Sequence, residues 1–334
     1  SLHDALPIST GLIPRMNKKP LPHPLVVKAF VLLRKIRHWA VGMTVIGLLK
    51  LASLFPANAA IETIDWLARR LGPLTARHKL ALANLEIAFP EKSSEERETI
   101  ARDMWGNMAR LGVEYVFLDQ IFDLNLENPS AGRVEVAGAE IFARLIEEKK
   151  PFIVFTGHTG NFELLPIGAA AYGLEVTAMF RPPNNPYIAR KVLSARRTRM
   201  GHLVPSRAGA AIALARRLEA NGGVGVLVDQ RFRRGVKGTF FGRDVTTNPL
   251  LGKLARQFEC DVYPARCIRL PGGRFRLVIE PAIDIPRAAD GRVDVPATSQ
   301  ILNDKIEEWV REYPGQWQWF HDRWGIKHTL RKRK

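Results

Sequence analysis

The sequence predicts an α/β fold: a mixed central sheet flanked by helices, preceded by a hydrophobic N-terminal anchor helix. Three observations predict it. From Phe152 to Glu280 short apolar runs alternate with segments of helical period, the pattern of strands packed beneath helices on both faces. From Thr63 to about Phe122 the periodicity is helical throughout. Ahead of that lies Trp39–Phe55, WAVGMTVIGLLKLASLF, an apolar run broken by one charge, Lys50.

Taken in order, residues 1–15 read as an extension outside the fold, and Met16, followed by Asn17-Lys18-Lys19-Pro20, reads as a natural start. Residues 16–60 form a basic region and an N-terminal membrane anchor. A helix over Trp39–Phe55 covers roughly 25 Å, slightly short of the hydrocarbon thickness, so it is expected to span the bilayer or to lie in its interface. A core helix and a cleaved signal are the competing readings. Lys28, Arg34, Lys35, Arg37 and His38 precede the run and favour a cytoplasmic N-terminus. Residues 61–334 make the globular domain.

Within that domain, Thr63–Leu71 and Ala76–Phe89 are helical, the second stopped by Pro90. Ser93-Ser94-Glu95-Glu96 reads as a capped helix start, with acids near the positive end of the dipole, and that helix is expected to run through Trp105 to about Phe122. Gly138–Glu148 is a further short helix. Strands follow at Phe152–Thr156, Glu175–Phe180, Val224–Val228, Val262–Arg269 and Phe275–Glu280. Helices are expected over Tyr187–Met200, Gly209–Ala220, Asn248–Phe258 and Leu302–Glu312. The closing segment GQWQWFHDRW puts Trp317, Trp319, Phe320 and Trp324 against the core or at a membrane interface, with core packing the simpler expectation. His321 and Arg323 are candidate headgroup contacts, and the run Arg331-Lys332-Arg333-Lys334 reads as a solvated basic tail.

Composition narrows the function. Fifty Lys and Arg against 33 Asp and Glu leave a net charge of +17, which suggests a polyanionic partner: nucleic acid, anionic lipid or an acidic carrier protein. The basic residues are dispersed and form no nucleic-acid module, so a nucleic-acid partner is not expected. Cys260 and Cys267 have neither metal-site nor disulfide spacing, and a reducing compartment is expected. P-loop, dinucleotide-binding and HExxH motifs are absent, and no metal and no cofactor is expected.

The segment that carries chemistry is Gly157-His158-Thr159-Gly160-Asn161-Phe162-Glu163, directly after the strand-like run PFIVFT. Five residues on a helix rotate by about 500°, leaving His158 and Glu163 some 140° apart, so they meet only if His158 sits on a strand-to-helix turn. Gly157 and Gly160 supply the permissive backbone for it. His158 is then a general base and Glu163 the carboxylate that fixes its tautomer; the plainer reading is a helix cap and a dipole-complementing acid. Arg181 and the pair Asp229-Gln230 each follow a strand, placing them with His158 at the carboxyl edge of the sheet, where open α/β folds bind ligands. Singly, Arg181 reads equally as a solvated charge and Asp229 as a turn residue.

GHTGNFE, FRPPNNP, VLVDQ, KGTFFG and YPGQWQWFHDRW, together with RHKLALANLEIAFPEKSSEER upstream, resemble the late acyltransferases of lipid A biosynthesis over roughly Arg37 to the end. The resemblance implies a glycerolipid-acyltransferase-like fold at the cytoplasmic face of the cell inner membrane. It also implies transfer from an acyl-carrier-protein thioester to a hydroxyl of a phosphorylated glycolipid, without metal. Residue by residue it implies His158 and Glu163 as the catalytic pair, with Arg181 and Asp229 in the binding site beside Asn161 and Gln230. Glu rather than Asp at the end of HxxxxE is similar to the lipid A branch rather than to glycerol-phosphate acylation. Another acceptor, such as a lysophospholipid or ornithine-type lipid, is the alternative.

Overall fold

A computed structural model describes residues 24–125, 128, 132–197 and 200–327; the expected extension over 1–15 and the basic run 331–334 lie outside them. The elements are α1 (Pro24–Ala52), α2 (Ala57–Leu71), α3 (Ala76–Ala88), α4 (Ser94–Glu114), α5 (Leu118–Ile121), β1 (Val134–Ala137), α6 (Ala139–Glu148), β2 (Phe152–Thr156), α7 (Leu164–Ala171), β3 (Val176–Phe180), α8 (Pro186–Arg197), β4 (His202–Pro205), α9 (Ala210–Glu219), β5 (Gly223–Leu227), β6 (Arg231–Phe240), β7 (Arg243–Thr247), α10 (Leu250–Phe258), β8 (Asp261–Leu270), β9 (Arg274–Ile279) and α11 (Val295–Glu312).

Seven strands form one sheet in the order β1-β9-β8-β2-β5-β3-β4. All neighbours are parallel except β8 and β9, which pair antiparallel, so the sheet is mixed as expected. Alternation along β2 divides the core. Ile153 and Phe155 join Val224 and Val226 of β5 beneath Leu302, Ile306 and Trp309 of α11. Phe152 faces the other way, into a cluster with Ile141, Phe142 and Leu145 of α6.

The expected cap of α4 is present in both halves: Ser93 Oγ accepts from Glu96 N at 3.1 Å, and Glu96 Oε2 accepts from Ser93 N at 2.7 Å. That helix ends at Glu114 instead of running to Phe122, with α5 as a separate turn. The last helix begins at Val295, seven residues before the expected Leu302; Asp294 caps it by accepting from Ala297 N at 2.9 Å, with Pro296 in its first turn. Three elements come without a sequence expectation: β1, β4 and the separate β6–β7 hairpin.

The N-terminal segment is a correction in part. It is helical from Pro24, but among the described residues no helix is long and apolar enough to cross a membrane. Between Arg37 and Lys50 only twelve residues intervene, about 18 Å of helix against a hydrocarbon core of about 30 Å. Instead α1 lies against α8: Asn185 Nδ2 donates to the His38 carbonyl at 2.7 Å, and Gly42 gives Tyr187 room to approach. Leu25, Phe30, Leu33, Trp39, Leu48 and Leu51 of α1 remain exposed, as do Leu54 and Phe55 after it and Trp66 and Leu71 of α2.

Candidate active site

Strand register builds the site. Thr156 of β2 lies beside Leu227 of β5, and Val228 N donates to the Thr156 carbonyl at 3.1 Å, extending the ladder by one bond. Two residues past Thr156 is His158; two past Leu227 is Asp229. His158 Nδ1 lies 2.7 Å from Asp229 Oδ1, and the His158 backbone N–H donates to Asp229 Oδ2 at 2.8 Å. Trp317 Nε1 donates to the same Oδ2, also at 2.8 Å.

Asp229 is 3% exposed. Burial alone would raise its pKa, but the facing imidazole and the three hydrogen bonds outweigh burial and hold the carboxyl well below the usual carboxylate range. An ionised Asp229 accepts a proton-bearing Nδ1, which leaves Nε2 with its lone pair toward the cavity. Gln230 Nε2 stands 3.3 Å from that nitrogen, and the Phe162 ring meets the imidazole edge-on at 4.9 Å.

The turn between β2 and α7 depends on its glycines in two different ways. Gly160 has φ +54°, and a Cβ there would collide with the Cys267 carbonyl. Gly157 is needed for close approach, since a Cβ would press on Ile306 at 3.0 Å and Asp229 at 3.4 Å.

The sequence-derived site residues separate on inspection. His158, Glu163, Arg181 and Gln230 all line one cavity of about 450 Å³. The carboxylate that grips Nδ1 is Asp229, so the tautomer-fixing role expected of Glu163 moves there; Glu163 occupies the N-cap position of α7, buried in the cavity wall. Arg181 stands at the rim, after β3. Asn161 is turned away, its Nδ2 donating to Glu114 Oε2 at 2.8 Å. Glu114 is also paired with Arg269, whose Nε donates to Asn107 Oδ1 at 2.9 Å, and Asn107 Nδ2 in turn donates to the carbonyls of Gly160 and Gln316. This buried network holds the turn that carries His158 through the Gly160 carbonyl.

Sequence reasoning missed Trp317 as a partner of Asp229 and missed Glu114, Arg269 and Asn107 altogether. The indole lay in an aromatic segment expected to pack on the core, and it does: Trp317 and Trp319 are 1% and 0% exposed. Arg323, expected near headgroups, is instead fully buried, donating to Thr246 O, Thr247 Oγ1 and Asn303 Oδ1. Both cysteines are free and buried, and no cluster able to hold a metal ion occurs among the described residues.

The cavity runs from His158 over one face of the sheet. Val154 of β2, Gly225 of β5 and Ala178 of β3 are register neighbours and form its small-residue floor; Phe142, Leu165 and Ala169 roof it. A histidine thus stands at the mouth of a largely apolar slot, an arrangement suited to a long hydrocarbon whose polar end stops at Nε2.

Comparison with known proteins agrees. A family profile described as bacterial lipid A biosynthesis acyltransferase matches residues 28–325. The chain is 24% identical over 309 residues to the lipid A biosynthesis myristoyltransferase of Escherichia coli (strain K12), covering 86% of this chain and 87% of that protein. It has the same identity over the same length to lipid A biosynthesis acyltransferase 1 of Shigella flexneri, and 24% over 281 residues to acyltransferase 2 of that organism.

Proposed function

The chain belongs to the bacterial lipid A biosynthesis acyltransferase family, and we propose that it moves a fatty acyl chain from an acyl-carrier-protein thioester to a hydroxyl of a lipid A precursor. The observation that carries this reading is His158, its Nδ1 fixed by Asp229 and its Nε2 facing the mouth of the apolar slot.

The acyl chain lies in the slot with its thioester carbonyl at the mouth. Nε2 takes the proton of the acceptor hydroxyl as the oxygen bonds to the carbonyl carbon. The tetrahedral intermediate then collapses with cleavage of the carbon–sulfur bond, and the imidazolium returns the proton to the departing thiolate. Asp229 stabilises the imidazolium throughout, and general-base help of this kind contributes about 10²–10⁴-fold. Glu163, in the wall beside His158, accepts a hydrogen bond from the acceptor and holds its hydroxyl in line. Arg181 at the rim binds an acceptor phosphate. The exposed apolar residues of α1 and α2 rest on the cytoplasmic face of the inner membrane, lying in the interface rather than crossing it.

The test is transfer from labelled lauroyl- or myristoyl-carrier protein to a tetra-acylated precursor, with His158→Ala alongside. The expected result is a higher-acylated product from wild type only. Transfer by the variant near the wild-type rate removes His158 from the mechanism. Transfer to a lysophospholipid and not to the glycolipid moves the acceptor and keeps the chemistry.

A further inference from the structure

Several surface arginines of this protein are held in ion pairs. Arg217 pairs with Glu175, Arg266 with Glu312, Arg274 and Arg276 with Glu135, Arg287 with Glu259 and Arg311 with Glu307. The hairpin that leaves the active site gathers four cations within seven residues. Arg231, Arg233, Arg234 and Lys237 of β6 are exposed, and among the described residues none is in an ion pair.

Their backbone is also unusual. Arg231 and Val236 both register with Thr247 of β7, so Phe232, Arg233, Arg234 and Gly235 are extruded from the ladder as a bulge. A Cβ at Gly235 would collide with the Thr247 carbonyl, so the bulge closes over a position that only glycine fits. The result is a protruding knuckle of two arginines and a 43% exposed phenylalanine. It begins two residues after Gln230, and Arg231 and Phe232 line the mouth of the cavity.

We propose that this knuckle is the docking surface for an acidic carrier protein bearing the acyl thioester, an inference that rests on the transfer reading above. Arginine and aromatic side chains are the groups that anchor protein interfaces, and unpaired cations complement an acidic partner. Position favours the donor. With the acyl chain in the slot, the body of its carrier is left at the mouth against the segment that follows Asp229-Gln230, while Arg181 after β3 serves the acceptor's phosphate. A bilayer is the poorer match, since the knuckle offers one exposed apolar side chain where α1 offers a dozen.

The experiment uses the full chain with Arg233 and Arg234 both changed to Glu, two exposed side chains that do not line the cavity. Two donors carry the same acyl group, one on the carrier protein and one on pantetheine alone; carrier binding is also titrated directly. Expected are roughly tenfold weaker carrier binding and a matching rise in KM for the carrier donor at low salt. That gap closes as salt is raised from about 0.02 to 0.5 M. Kinetics with acyl-pantetheine and the KM for the glycolipid stay at the wild-type values. Equal losses with both donors, a raised glycolipid KM, or lost affinity for phosphatidylglycerol vesicles with carrier binding intact would each overturn the proposal. If wild type transfers from neither donor yet binds carrier through these arginines, docking stands and the transfer reading falls. If wild type binds no carrier but transfers from acyl-pantetheine, the reverse holds.

Discussion

Replacing Trp317 by Phe removes the N–H that Asp229 accepts and some of the volume of a buried indole. The ring keeps its neighbours, Trp319 at 4.7 Å and Phe240 at 5.6 Å between centroids, while Asp229 Oδ2 loses a donor at 2.8 Å. A hydrogen bond to a charged group contributes about 1.5–3 kcal/mol, and here both partners are buried, so no water replaces it. At about 1.36 kcal/mol per pKa unit, the Asp229 carboxyl should rise by about one to two units. The linkage sign follows. Asp229 is depressed in the folded state, so its stabilisation is present above the ordinary carboxylate value of about 3.9 and is lost as pH falls below it. The hydrogen bond should therefore contribute about 1.5–3 kcal/mol to the gap at pH 7, a share lost only where the depressed folded-state carboxyl itself protonates, while the cost of the vacated ring persists at every pH. Catalysis adds an independent readout. With one partner fewer, the carboxylate that holds Nδ1 is less firmly placed, and kcat should fall with KM unchanged. Denaturant titrations stepped from pH 7 down to about pH 1.5, and kcat and KM at pH 7, test both. An unchanged kcat together with a stability gap that is the same at every pH would show that the indole only fills space.

Gly160→Ala should cost about 3–5 kcal/mol, read as a lowered Tm, because a left-handed φ and a backbone collision coincide there. Gly225→Leu should shift donor preference to shorter acyl chains; three displaced methylenes cost a long donor about 2.4 kcal/mol, roughly fifty-fold in kcat/KM, and an equal loss at every chain length would count against the slot. Burial pushes the Cys267 thiol up to about 12 and the Cys260 thiol up to about 11, so neither should be alkylated in the native protein at pH 8, whereas both should be in denaturant.

What the sequence revealed divides along the range of the interactions concerned. β2 was legible because five apolar residues in a row need burial on both faces, and α4 because its cap is written in four consecutive residues. The hairpin was not: RFRRGVKGTF has no alternation, and its strand character comes from pairing with β7 and from Gln300 and Asn303 of α11, which bind the Thr239 backbone. β1 and β4, four residues each, carry too little pattern to stand apart from loops. In the site, the turn and its histidine were local and readable. The carboxylate was not, because Asp229 reaches His158 across 71 residues, through the adjacency of β2 and β5, which periodicity does not encode. Choosing Glu163 as the orienting acid followed nearness in sequence, and strand order decided otherwise.

The closing segment is better understood as part of the candidate site than as a tail. Gln316 accepts from Gly160 N at 3.0 Å through its carbonyl, and its side chain bridges the Arg269 backbone in both directions at 2.8 Å. Its neighbour Trp317 bonds Asp229, and Thr159 pairs with Trp317 as an isolated antiparallel bridge. The turn that carries His158 is thereby clamped between two buried charged groups, Asp229 on one side and the Glu114–Arg269 pair on the other, with the 316–317 dipeptide touching both. A buried ion pair is a weak source of net stability, because desolvation offsets most of its attraction. What such groups supply is direction: a hydrophobic replacement would fill the same volume without fixing where Gly160 and His158 point. That accounts for charge placed under a loop whose chemistry depends on the orientation of one imidazole.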